Sequence, residues 1–98
     1  MLSKEKVFEE LKKVFDPELG VSVVDLGLIY DVKVKDSKVT IIATLTNPFC
    51  PLGDLIVRDI EDAVMNIKEA SDVEVKLTFD PPWDVSKISK EAKERLGI

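Results

Sequence analysis

Apolar positions change period several times along the 98-residue chain, and each change marks an element. Val7, Leu11, Val14 and Phe15 follow the i, i+4, i+7, i+8 spacing of one helical face, with Glu9, Glu10, Lys12 and Lys13 on the wet side. Ser3 stands where an N-cap is needed. Asp16-Pro17 stops the pattern, because a residue before proline avoids the α region. The spacing predicts a helix over 4–14 and a loop over 16–20. Residues 21–28 are mostly apolar and follow neither period. Alternation then sets in: Leu28, Tyr30, Val32 and Val34 oppose Ile29, Asp31, Lys33 and Lys35, and Val39, Ile41, Ala43 and Leu45 oppose Thr40, Ile42, Thr44 and Thr46. Two such segments, 28–35 and 38–46, joined by Asp36-Ser37, predict an antiparallel hairpin.

A broad apolar stripe follows, with Leu52, Leu55, Ile56, Ile60, Ala63, Val64 and Ile67 on a helix over 52–69. Val73, Val75, Leu77 and Phe79 give a third strand over 73–79, closed by Asp80-Pro81-Pro82 and followed by Trp83. Ser86 or Ser89 caps a last helix over 87–96, with Gly97 just past its end. The order α-β-β-α-β-α predicts one α+β domain over 1–98, a three-stranded sheet (with room for one short extra strand) covered by helices mainly on one face. If the second and third strands are parallel, the crossover is right-handed, and the loop leading into the long helix sits at the C-terminal end of the second strand, a common ligand location.

Composition narrows the function. Nineteen acidic residues against 14 basic give a net charge of −5, so no basic patch is available for nucleic acid. No apolar run is long enough to span a membrane or serve as a signal peptide. A single cysteine excludes an internal disulfide, and a reducing cytoplasm is the default expectation. Histidine is absent, which removes Ser-His and Cys-His catalysis and any histidine metal ligand.

The lone cysteine, Cys50, lies between Pro48 and Pro51 at the predicted start of the long helix. Pro51 suits a first helical turn. The N–H groups and positive dipole end there favour a thiolate. Set against this, free cysteine is commonly a small buried hydrophobe, and Asp54 disfavours a second anion nearby. One thiolate cannot hold an iron–sulfur cluster alone. Three routes stay open: two chains sharing a site in a homodimer, carboxylates or small thiols completing the shell, or transient transfer. Iron or copper(I) suits the sulfur, whereas calcium and magnesium do not. Asp16 and Glu18 straddle Pro17, and the plainer account, which makes Asp16 a helix stop and Glu18 a solvated side chain, outweighs a functional one. Asp25 interrupts an apolar run and needs hydrogen bonds if buried. Thr44 and Thr46 share a strand face that leads to the cysteine turn. Trp83 either closes one end of the core or meets a partner.

Four ordered motifs, Asp16-Pro17-Glu18, Val24-Asp25-Leu26-Gly27-Leu28-Ile29-Tyr30, Thr46-Asn47-Pro48-Phe49-Cys50-Pro51 and Asp80-Pro81-Pro82-Trp83, resemble the iron–sulfur cluster assembly domain-like family, which includes SufT and PaaD-type proteins and the small subunit of the cytosolic iron–sulfur targeting complex. The resemblance implies the assembly-domain fold and a non-enzymatic role in maturing iron–sulfur proteins. It implies iron or a cluster as transient or shared cargo, and the assembly machinery and apo-client proteins as partners. Cys50 matches the family's reactive cysteine and metal-engaging position; Asp16, Glu18, Asp25 and Thr46 match its other polar positions. The cysteine-rich C-terminal region of PaaD-type proteins and the N-terminal extension of longer SufT relatives have no counterpart in 1–98, which points to a general factor. The competing readings are a thiol enzyme with Cys50 as nucleophile and Asp25 as acid or base, and an interaction adaptor in which Cys50 only packs.

Overall fold

Ser3 opens the first helix as its sequence predicts: in the computed structural model its Oγ accepts the Lys6 N–H at 3.3 Å, capping α1 (Lys4–Leu11). The structure describes residues 2–17, 19–46 and 53–98. Val7 and Leu11 are fully buried. The helix ends three residues short of the expected Val14, because Lys13 and Val14 donate to Glu10 and Leu11 in tight i→i−3 bonds that unwind it. Phe15 then forms an antiparallel bridge with Ser22, and Val23 donates to the Val14 carbonyl. This extended link keeps Val14 inside but turns Phe15 out, to 51% exposure, against the expectation that it lines the helix's buried face.

The hairpin is β1 (Ile29–Lys35) and β2 (Lys38–Ala43), turned by Asp36 in the left-handed region at φ 56° and by Ser37. A helix, α2 (Gly53–Met65), leads to β3 (Asp72–Leu77), which pairs parallel to β2, so β2 is central and β1 and β3 are edges. The register sets Val32, Ile41 and Val75 in one row and Val34, Val39 and Val73 in another. The opposite face carries Asp31-Ile42-Lys76 and Lys33-Thr40-Glu74. One face therefore feeds a core shared with α1 and α2, and the other is charged. A bulge between Ile29 and Asp31 makes Tyr30 an extra residue and breaks the predicted alternation there.

On α2, Ile56, Ile60 and Val64 define the buried line. Leu55 was expected on that stripe, yet it is 44% exposed, because it sits about 100° around the helix from Ile56. The helix stops four residues before the expected 69, and tight turns through Ile67 and Ala70 keep both of those side chains buried. β2 ends at Ala43 rather than 46, and β3 at Leu77 rather than 79. Leu77 and Phe79, expected on a covered face, are 43% and 42% exposed at the sheet's edge.

A 3₁₀ turn (Val85–Lys87), capped by Asp84, precedes α3 (Lys90–Leu96). Ser89, not Ser86, caps α3, accepting the Ala92 N–H at 3.2 Å, so that helix starts three residues later than predicted. Gly97 closes it at φ 76°. The α-β-β-α-β-α order is otherwise the expected one.

Candidate functional site

Three chain segments meet at the C-terminal end of β2. Thr44 donates its N–H to the Leu28 carbonyl, and Thr78 donates to the Ala43 carbonyl, both at 2.8 Å. This cross-linking draws Thr44 inward, to 1% exposure, although the regular strand has already ended. Among the described residues its Oγ1 has no hydrogen-bond partner. A buried hydroxyl left unpaired costs roughly 1–3 kcal/mol, so the position calls for a reason. Thr46 is half-buried two residues on, where the chain leads toward Cys50. Cys50 itself, the predicted helix-start turn around it, and Glu18 lie outside the described residues.

The second part of the site is the loop 21–28, which the alternation rules left unassigned. Leu26, Gly27 and Leu28 donate to Ser22, Val24 and Val23, and the Val24 N–H donates to Ser22 Oγ at 3.1 Å. These bonds wind a compact turn whose Val21, Val23, Leu26 and Leu28 side chains enter the core. Asp25 is half-buried on it. Its carbonyl accepts the Ser89 N–H at 2.7 Å, and its Oδ1 lies 3.5 Å from Ser89 Oγ. Asp25 thus finds its hydrogen bonds at the cap of α3.

Trp83 fastens the same loop: its Nε1–H donates to the Leu26 carbonyl at 2.7 Å, while its ring packs against the core. Gly27, at φ 72°, lies so close to Lys87 that a Cβ would come within 2.2 Å of the Lys87 carbonyl oxygen. Tyr30 Oη donates to the Pro81 carbonyl at 2.8 Å, and the Lys87 ammonium sits 5.3 Å from the Tyr30 ring centroid. Residues 81–89 therefore form a clasp over loop 21–28 and the bulged start of β1. The structure brings Asp25 and Trp83 together in this clasp.

Asp16 belongs to a different corner. It is buried; its Oδ1 accepts the Leu19 N–H at 3.3 Å, its carbonyl accepts the Gly20 N–H, and its own N–H donates to Val21. These bonds tie Asp16 to Leu19, Gly20 and Val21. Two other carboxyls are held below the usual range: Asp84 chiefly by hydrogen bonds from the Ser86 hydroxyl and amide, and Glu69 chiefly by the Lys6 ammonium at 3.1 Å.

Among the described residues, no three Cys, Asp or Glu side chains converge as a metal site. A groove of about 280 Å³ runs between α1 and α2, and an apolar one of about 500 Å³ lies beside α3, but neither is lined by Thr44, Thr46 or Asp25. What the described residues supply is polar framing at a strand end, including one unsatisfied hydroxyl. Sequence reasoning paired Thr44 with Thr46 and gave weight to Thr46; the burial of Thr44 depends on Leu28 and Thr78, which no local pattern reveals.

A hairpin extended by one parallel strand, clasped from its C-terminal side and leading from its central strand to a proline-flanked cysteine, defines a small α+β assembly domain. The chain belongs to the iron–sulfur cluster assembly protein family, whose model matches residues 4–77. It is 44% identical over 96 residues, 97% of this chain and 94% of the relative, to the Fe-S protein maturation auxiliary factor YitW of Bacillus subtilis. A Synechocystis iron-sulfur cluster carrier protein is 42% identical over 86 residues, which cover 88% of this chain and 24% of that protein. The crystal structure of a domain of unknown function, DUF59, from Bacillus anthracis superposes with a TM-score of 0.93 at 38% identity, covering 97% of this chain and 92% of that one.

Proposed function

We propose that this chain is a non-enzymatic accessory factor in the cytoplasmic maturation of iron–sulfur proteins, and that Cys50 engages iron, a cluster or a client protein. The observation that carries this reading is the near end-to-end match with a Fe-S protein maturation auxiliary factor. The match to part of a cluster carrier protein supports the assembly machinery and apo-client proteins as partners. Iron or the cluster is cargo: a single thiolate leaves coordination positions for the donor or recipient to fill, which suits transfer. Thr46 and the Thr44 hydroxyl, unpartnered among the described residues, frame the strand end leading to Cys50, Asp25 steadies the adjoining loop, and Asp16, with Glu18 two positions on, supplies the further polar positions. The absence of histidine weighs against a thiol enzyme.

The adaptor reading draws support from Asp16, Asp25 and Trp83, whose polar groups are committed to internal bonds. On that reading the outer surface of Trp83 meets the partner. Anaerobic reconstitution of wild type and Cys50→Ala with ferrous iron and sulfide, with and without added thiol, separates the two. Thiolate-to-iron charge-transfer absorption in wild type alone is expected. No cysteine-dependent absorption in any oligomer would remove cargo binding, and client capture undiminished in Cys50→Ala would leave the adaptor.

A further inference from the structure

The outer edge of β3 carries a pattern that is self-complementary under a twofold axis. Among the described residues no strand pairs with that edge. Thr78 donates its N–H to Ala43, so the even positions of β3 face β2, and the N–H and C=O groups of Val73, Val75 and Leu77 point outward. On the charged face of the sheet, Glu74 and Lys76 stand exposed two residues apart and form a long, solvent-screened ion pair with each other at 3.6 Å, which a partner strand's opposite charges can replace. On the core side Leu77, and beyond it Phe79, leave more than two-fifths of their surface in water at the same edge.

We infer that β3 pairs antiparallel with β3 of a second copy of this chain, with the axis at Val75, to give a continuous six-stranded sheet. In this register Val75 meets the partner's Val75 and Val73 meets the partner's Leu77 in hydrogen-bonded pairs, which use the outward backbone groups. Glu74 meets the partner's Lys76, and Lys76 the partner's Glu74, at non-hydrogen-bonded positions, where facing side chains approach most closely. The interface is isologous, so each complementary contact occurs twice. Neighbouring registers are less complementary: an axis at Glu74 sets that residue against its own copy between two Lys76–Asp72 pairs, an axis at Lys76 opposes the two lysines, and an axis at Val73 sets Asp72 against the partner's Glu74. Charges on an exposed edge ordinarily discourage pairing; with the axis at Val75 they attract and no like charges oppose one another. The apolar alternation through Leu77 toward Phe79, which a lone edge strand leaves partly uncovered, then has a neighbour. The two β2 C-terminal ends lie at opposite ends of the joined sheet, so each copy keeps its own Thr44–Thr46 end. The inference is independent of what that end binds.

Sedimentation velocity of the full chain, from micromolar to millimolar, tests it. Wild type is expected in a concentration-dependent monomer–dimer equilibrium. Glu74→Lys and Lys76→Glu alone should each weaken it about tenfold or more, since two attractive pairs become repulsive. The double variant should recover it, and mixing the two single variants should give a heterodimer. Circular dichroism verifies that these surface variants stay folded. A monomeric wild type throughout, or a dimer indifferent to either single change, overturns the interface. Failure of both the double variant and the mixture to recover association overturns the register.

Discussion

Replacing Gly27 with alanine probes the clasp directly. An L-residue at φ 72° costs about 1–2 kcal/mol in backbone sterics. The new methyl would also stand 2.2 Å from the Lys87 carbonyl oxygen and 2.8 Å from its carbon, contacts that only backbone movement can relieve. Forcing packed structure apart typically adds about 1–3 kcal/mol. The total is about 2–5 kcal/mol, or a fall in Tm of roughly 10–30 °C for a domain of this size. Gly20→Ala is the control: its φ is 67°, but nothing lies within 4 Å of the added Cβ, so only the backbone cost of about 1–2 kcal/mol applies. Urea titration followed by far-UV circular dichroism measures both. Trp83, the sole tryptophan, reports the clasp itself, and its emission should shift to the red in Gly27→Ala as its bond to Leu26 loosens. If Gly27→Ala is no more destabilising than Gly20→Ala, the close approach to Lys87 has no energetic weight and the reasoning fails.

Thr44→Val replaces a buried hydroxyl that has no partner among the described residues with a methyl, so stability should hold or rise by up to about 2 kcal/mol in a thermal melt. A loss above about 1 kcal/mol would mean that the hydroxyl is satisfied in solution. Trp83→Phe leaves the Leu26 carbonyl without its donor and should cost about 1–3 kcal/mol by denaturant titration; an unchanged midpoint would show that the bond contributes nothing net. Ser86→Ala should let the Asp84 carboxyl rise toward its ordinary value, as followed by carboxyl-carbon NMR against pH. A carboxyl lowered on folding stabilises above its unfolded pKa and loses that contribution as pH falls through the folded one, so this variant should also flatten the acid limb of the stability curve. An Asp84 titration unmoved by the change would refute that assignment.

Local chemistry made the element order legible: Ser3 and Ser89 at helix starts, the Asp36-Ser37 turn and the period-2 runs of the hairpin all act within a few residues. Element ends were less legible, because tertiary partners decide them. Phe15 leaves the helical face once Ser22 offers it a bridge, and Leu77 keeps its alternation but sits on an edge strand with one neighbour. The candidate site divides the same way. Asp25 amid apolar residues signals a need for hydrogen bonds, yet its partner, Ser89, is 64 residues away. Asp16-Pro17 reads as a helix stop, but α1 has already ended at Leu11, and the bonds of Asp16 to Leu19 and Gly20 make it a turn residue instead. Thr44 carries no local sign of its isolation, since the bonds that draw it inward come from Leu28 and Thr78.

The clasp has a consequence for the order in which the polypeptide becomes complete. Hairpin pairing needs only adjacent residues, but Leu26 waits for Trp83, 57 positions later, and Tyr30 waits for Pro81, 51 positions later. On a ribosome, where synthesis proceeds at roughly 5–20 residues per second, the first half emerges seconds before its fastening. During that interval Leu26 and its neighbours stand open to chaperones or to premature association, and closure marks the moment the newborn chain stops being a client itself.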